Sequence, residues 1–261
     1  MATQFTVSKD GTHIAYDVTG QGPALMLLHG AGKTRRDWHN VGYVDRLKDD
    51  FTVITVDIRG TGESDILTDI ADYAIEKICD DLTSVADACG AQHFFVWGYS
   101  FGGNIARYLG AWTDRTLALA MIGVPFGAAV DNDFDQFITS FLKKWQPLAD
   151  AYKADSTTEQ ERRSAIKGRI PVWVACFQAM RAWPKIELGD IRCPTLLLMG
   201  TKNAGMLKWT QSNQDALNRA AVQVEIVQGL NHSQEFSKIG RVFPVVRPFF
   251  NRCNQEIDRA R

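Results

Sequence analysis

The sequence predicts an α/β protein: a mostly parallel, doubly wound sheet with a block of helices inserted late in the chain. Three observations carry this. Short apolar runs at 24–28, 51–58 and 195–199 read as strands buried on both faces. They alternate with stretches of helical period, such as Ile75, Ile78, Cys79, Leu82, Val85, Ala86 and Cys89. Between Asp131 and Pro184 the strands cease and helical stripes alone continue.

In order, residues 5–8 and 13–18 read as a hairpin about a Lys9-Asp10-Gly11 turn. Gly20-Gln21-Gly22-Pro23 breaks the pattern, and the buried strand 24–28 runs into His29-Gly30-Ala31-Gly32. A helix over 37–47, the strand 51–58, a polar loop from Arg59 to Asp65 and a helix over 73–89 follow. A strand at 93–97 leads into Gly98-Tyr99-Ser100-Phe101-Gly102-Gly103 and then a helix over 104–112, with Ile105, Leu109 and Trp112 on one face. The strand at 117–124 is closed by Pro125. Within the inserted block, Phe134, Phe137, Ile138, Phe141, Leu142 and Trp145 step at three and four residues, as do Trp173, Phe177 and Met180 after a polar stretch. Strands at 195–199 and 222–227 flank a helix over 206–220, bringing the strands to eight. The last helix carries Val242, Val245, Val246, Phe249 and Phe250; Pro244 falls in its first turn, and Pro248 is expected to kink it. The expected division is a core domain at 1–130 and 187–261, with a helical cap at 131–186.

Bulk electrostatics exclude some partners. The 261 residues hold 29 Lys plus Arg against 30 Asp plus Glu, so bulk charge points to neither a nucleic-acid nor an acidic-substrate partner, and no membrane partner is expected. The five cysteines form no CxxC pair or Cys/His cluster, so no metal site is expected. No Walker or GxGxxG pattern follows Gly60-Thr61-Gly62, so no nucleotide cofactor is expected either. The N-terminus carries no basic-plus-apolar leader and no apolar run approaches membrane-spanning length, which points to a cytoplasmic setting. The expected partner is a small-molecule substrate, and the chain is read as a monomer or homodimer.

The stretch 93–107 is the chemical centre of the chain. Strand, sharp turn with serine at its apex, helix is the arrangement of a G-x-S-x-G nucleophile elbow. A one-residue turn strains the serine backbone. It also brings neighbouring chains so close that Gly98, Gly102 and Gly103 can carry no side chain. Ser100, Ala31, Asn203 and His232 each follow a predicted strand. On a parallel sheet, ligands bind at such strand ends, so all four should gather at one edge.

Together LLHGAG (27–32), DIRGTGESD (57–65), GYSFGG (98–103), PTLLLMG (194–200) and QGLNH (228–232) resemble the α/β-hydrolase superfamily. The resemblance covers nearly the whole chain in the family's order. It implies an eight-stranded sheet of α/β-hydrolase type, with Ser100 as nucleophile and His232 as general base. The backbone N–H groups of Ala31 and Phe101 would form the oxyanion hole. The implied activity is cleavage of an ester, thioester or lactone through an acyl-enzyme, without cofactor.

The acid of such a triad commonly stands three residues after the glycine that ends the preceding strand. Here that glycine is Gly200 and the position holds Asn203. An asparagine can fix the histidine tautomer but lacks the charge to offset an imidazolium. Three explanations stand open: another carboxylate, with Asp131 and Asp133 as candidates; an introduced substrate trap; or a protein that naturally runs with Asn203. The last would suit a slow hydrolase, a lyase or cofactor-free oxygenase using His232 as base, or a ligand-binding protein. Gly30, Trp38, Phe126, Phe137, Phe141 and Trp173 are expected to bound an apolar pocket. His29 is read as shaping the oxyanion loop, Asp57 and Arg59 as an architectural ion pair, and Lys33, Arg35 and Arg36 as a solvated basic turn.

Overall fold

In the computed structural model, which describes residues 2–260, β1 (Gln4–Val7), β2 (His13–Thr19) and β3 (Ala24–Leu28) lead into α1 (Arg35–Val41) and α2 (Tyr43–Leu47). Next come β4 (Thr52–Val56), α3 (Ile75–Ala88), β5 (Phe94–Tyr99), α4 (Phe101–Trp112) and β6 (Thr116–Ile122). Three helices follow without a strand between them: α5 (Asn132–Lys153), α6 (Glu159–Lys167) and α7 (Ile170–Met180). The chain closes with β7 (Thr195–Gly200), α8 (Ala204–Ser212), α9 (Gln214–Arg219), β8 (Gln223–Val227), α10 (Gln234–Ser237) and α11 (Ile239–Ala260). The strands form one eight-stranded sheet in the order β1-β2-β4-β3-β5-β6-β7-β8. Only the β1–β2 and β2–β4 pairings are antiparallel.

The central strands are apolar at nearly every position, Thr55 of β4 being a buried exception, because both faces of the sheet are covered. Successive residues enter opposite cores. Met26, Leu28, Val96 and Leu197 pack with α3 and α4 on one side. Leu25, Leu27, Trp97 and Leu198 pack with α1, α2 and α11 on the other. Each fully buried side chain of this size contributes about 1.5–3 kcal/mol. A one-residue slip of any strand would exchange its two sets of side chains, which fixes the register.

Several boundaries differ from expectation. The helix expected over 37–47 is two helices, parted at Gly42, whose φ of 90° is left-handed. The one expected over 206–220 is likewise two, parted at Asn213. The helix after the serine begins at Phe101 rather than Asn104, with no intervening loop. The last helix starts earlier than expected, at Ile239, so Pro244 lies in its second turn rather than its first, and Val242, Val246, Phe249 and Phe250 stay buried along one stripe. Sequence periodicity missed two helices: α6, read only as a polar stretch because it buries just Ala165, and α10, at four residues too brief to show a period. No helix among the described residues is long and apolar enough to cross a membrane.

The helices α5–α7 lie over the strand ends that carry Ser100. Phe101, at the start of α4, packs edge-on against Trp173 of α7, with ring centroids 5.5 Å apart. Trp183 donates its indole N–H to Tyr73 O at 2.9 Å. Arg169 reaches Gly62 O at 2.6 Å.

Candidate active site

Ser100 joins β5 to α4 with φ 53° and ψ −117°, a sparsely populated conformation for a residue with a side chain. The surrounding structure holds it there. Its N–H bonds to Ile122 O at 2.9 Å, and Asn104 N–H bonds back to Ser100 O at 2.9 Å. A Cβ on Gly98 would stand 2.4 Å from Gly102 O, and one on Gly102 would stand 2.2 Å from Leu28 O. The turn can therefore form only with glycine at both positions.

His232 lies 132 positions along the chain, yet its Nε2 is 2.9 Å from Ser100 Oγ. Tyr99 holds the loop: its hydroxyl donates to His232 O at 2.9 Å, and its ring stacks on the imidazole at 5.2 Å between centroids. The far ring nitrogen, Nδ1, stands 2.9 Å from Glu235 Oε2. Glu235 is 1% exposed. Its Oε1 also accepts the Gly200 N–H at 2.7 Å and the Asn203 amide at 3.0 Å.

This corrects the expectation for Asn203. It occupies the anticipated place after β7, but the group facing Nδ1 is a carboxylate delivered from α10. Asn203 Nδ2 also lies 3.2 Å from Glu235 Oε2 and 3.3 Å from His232 Nδ1. Its amide donates to both oxygens of that carboxylate rather than accepting from the imidazole. Asp131 and Asp133 are not the group facing Nδ1 either. Asp131 caps α5 by accepting the Phe134 N–H at 2.8 Å, and Asp133 is an exposed residue of that helix's first turn. The signal that could have found Glu235 is its spacing: an acid three positions after the histidine shares one turn with it once a helix starts there.

A carboxylate oxygen at Nδ1 pairs with the tautomer that carries its proton there. Nε2 is then free to accept from the Ser100 hydroxyl. The pair fits because Gly123, at the end of β6, has no side chain. With φ 74°, a Cβ there would meet Glu235 Oε2 at 2.4 Å and His232 Nδ1 at 2.7 Å.

Ser100 and His232 open into a cavity of about 540 Å³. Ala31 and Phe101, the expected oxyanion donors, both border it, and so does Phe137, together with Phe134, Phe177 and Met180. The other anticipated wall residues do not. Trp38 is 0% exposed, wedged among Tyr43, Trp97 and Phe236 on the opposite face of the sheet. Phe126 packs on Trp209, Phe141 on Phe177, and Trp173 on Phe101 and Phe177. Gly30 sits behind the wall, where a Cβ would strike the Tyr99 ring at 2.8 Å. Periodicity locates an aromatic on a buried face but does not say whether that face meets a cavity or another ring.

The charged loops are architectural. His29 is fully buried: Nδ1 donates to Gly30 O at 2.9 Å, and Nε2 accepts the Ile58 N–H at 3.2 Å. Burial lowers its pKa and keeps it neutral. Asp57 and Arg59 do not pair with each other. Asp57 binds Arg35, which also reaches Asp17 at 3.0 Å, while Arg59 forks onto Asp81 at 2.5 and 2.6 Å. Arg35, expected on a solvated turn, is thus buried and paired.

Comparison with known proteins bears on the fold. Residues 23–167 match the family profile of the alpha/beta hydrolase fold. Over 127 residues the chain is 28% identical to bifunctional epoxide hydrolase 2 of Sus scrofa, a match covering 47% of this chain and only 22% of that protein. A thermophilic esterase from Thermogutta terrifontis, solved with malate bound, superposes with a TM-score of 0.74 at 21% identity, covering 97% of this chain and 99% of that one. One of the epoxide hydrolases from hot-environment metagenomes superposes at 0.73 with 20% identity, covering 96% and 98%. With the fold, the strained serine turn and more than half the chain matched, the protein belongs to the α/β-hydrolase family.

Proposed function

We propose that the protein is a serine hydrolase that cleaves a small ester, thioester or lactone through an acyl-enzyme on Ser100. The observation that carries this reading is the unbroken line from Ser100 Oγ to His232 Nε2 and from Nδ1 to Glu235, at 2.9 Å each, opening on one cavity. Ser100 attacks the substrate carbonyl as His232 takes its proton. Glu235 steadies the imidazolium that forms. The N–H groups of Phe101 and Ala31 serve as the oxyanion hole for the tetrahedral intermediate. His232 returns the proton to the leaving group, and water then releases the acyl group by the same route in reverse. The helices α5–α7 act as the cap, and Phe134, Phe137 and Phe177 suit an apolar or aromatic substrate.

Several relatives act on epoxides, and the nucleophile argues against that chemistry here. A serine that opens an epoxide ring forms an ether. That ether has no carbonyl for water to attack, so the enzyme would not turn over. A serine ester formed from a carbonyl substrate does. The non-hydrolytic and binding readings drew their force from the lack of an acid on His232, and Glu235 removes that ground.

A fluorophosphonate probe tests the proposal. Ser100 should label rapidly and 4-nitrophenyl esters should turn over, with both lost in Ser100→Ala. A Ser100 that stays unlabelled after prolonged exposure, in protein that turns over no ester, would end it.

A further inference from the structure

One cation in this cavity has no counter-charge. Arg107 is 1% exposed and forms part of the cavity wall. Its Nη1 donates to Pro125 O at 3.1 Å, and its guanidinium lies 5.4 Å from the Tyr108 ring centre. Nε and Nη2 are buried with no hydrogen-bond partner. Among the described residues, no carboxylate comes within the 4.0 Å of an ion pair with it. Asp131 borders the same cavity but spends an oxygen on capping α5. Asn104 also lines the cavity. Its Oδ1 is unpartnered too, so it is not the acceptor for this guanidinium. Burial lowers the arginine's pKa, and the neighbouring Tyr108 side chain opposes that shift without reversing it.

The contrast with the other buried arginines is sharp. Arg35 and Arg59 are each clamped by two aspartates. A buried guanidinium left without an anion is a costly arrangement. Its position gives it a use. Ser100 is the residue before α4, and Asn104 and Arg107, four and seven positions further on, line the same cavity as the serine. Arg107 lies about 10 Å along the helix axis from the serine. In a largely apolar cavity its charge is poorly screened and attracts an anion strongly.

We propose that the substrate carries a carboxylate at the end remote from its scissile carbonyl, and that Arg107 binds it. This rests on the hydrolase reading and narrows it: the substrate class is the monoester, or the lactone-derived equivalent, of a dicarboxylic acid. Arg107 then sets specificity by length and charge. The apolar wall holds the carbon chain between the two ends.

Two measurements on the wild-type protein test this, one of them independent of turnover. The first compares 4-nitrophenyl hemiesters of four- to eight-carbon dicarboxylic acids with their neutral ω-amides. At one or more lengths kcat/KM should favour the carboxylate by ten-fold or more. That ratio should collapse toward one in Arg107→Met and be partly kept in Arg107→Lys. The second measures binding of the free dicarboxylic acids and of their monoamides by calorimetry. The dicarboxylate of preferred length should bind at least ten-fold tighter. Neutral esters turned over at rates equal to or above the hemiesters at every length would overturn the proposal while leaving the hydrolase intact. If no ester reacts and Ser100 resists the fluorophosphonate, the hydrolase reading has failed. Calorimetry then decides the Arg107 site alone: discrimination between diacid and monoamide sustains it, and equal affinity refutes it.

Discussion

Exchanging Glu235 for glutamine keeps the shape at the far side of His232 and removes the charge. Two effects follow. The imidazolium formed during attack loses its counter-ion. The glutamine can also present an N–H to Nδ1, which favours the wrong tautomer. In the serine-protease triad the corresponding exchange lowers turnover by about 10⁴, or about 5.5 kcal/mol at roughly 1.4 kcal/mol per decade. Glu235→Gln should fall by a similar factor. Asn203→Ala should fall less. It removes one donor from a carboxylate that keeps the Gly200 N–H and His232, and a hydrogen bond to a charged group is worth about 1.5–3 kcal/mol. Asn203→Asp alone should also lose activity near neutral pH, because it sets a second carboxylate about 3 Å from the first and forces one to take up a proton. The informative variant is the double exchange Asn203→Asp with Glu235→Gln. It inverts donor and acceptor and leaves one negative charge beside Nδ1, where Asn203 Nδ2 now stands 3.3 Å away. It should recover at least ten-fold over Glu235→Gln. The assay is the pre-steady-state burst and kcat on a 4-nitrophenyl ester. Glu235→Gln within ten-fold of wild type would refute the assignment.

Two other perturbations probe the fold around the site. Gly123→Ala should cut kcat by 100-fold or more, because the methyl group meets both Glu235 and His232 and the backbone there is left-handed; unchanged kcat with a normal melting temperature would contradict the packing. Asp10, exposed beside Arg59, feels partial burial raising its pKa, but the Arg59 and Thr12 hydrogen bonds outweigh it and hold the carboxyl at about 2, against 3.8 unperturbed. A depressed carboxylate stabilises the fold above its unfolded value and stops doing so as the pH falls through its folded one. The stability gap between wild type and Asp10→Asn, read by urea unfolding, should therefore shrink between about pH 4 and pH 2; a gap constant over that window would count against the pairing.

The sheet was legible in the sequence because a strand buried on both faces must be apolar throughout, and a helix covering it must show a stripe. Ser100 was legible for a related reason: its turn tolerates almost no other local sequence. His232 followed from chain order and from its place after a strand. Glu235 was not legible in the same way. Its role depends on a four-residue helix and on a side chain crossing to the end of β7, neither of which leaves a periodic trace. Gly123 looked like any glycine at a strand end, although the relay fits around it. The aromatic residues misled in a consistent direction. Trp38, Phe126 and Trp173 are buried and Phe141 partly so, as their pattern implies, but against other rings rather than the cavity. Arg107 gave no signal at all, since a lone arginine on a helix reads as solvated until burial and missing partners are visible.

Asn203 and Glu235 are best understood as one unit. A histidine that must become cationic needs one anion at its far nitrogen, and that anion must itself be held if it is buried. Two places can supply the oxygen: the loop after β7 and the first turn after the histidine. Filling both with carboxylates would set like charges in contact, and filling both with amides would leave the imidazolium unopposed. One acid and one amide satisfy every requirement, in either order. Here the acid comes from α10, and the amide at 203 donates to it, with the Gly200 N–H as a further donor. The asparagine at the expected acid position is therefore not a defect in the relay. It is the donor that a carboxylate arriving from the other side requires.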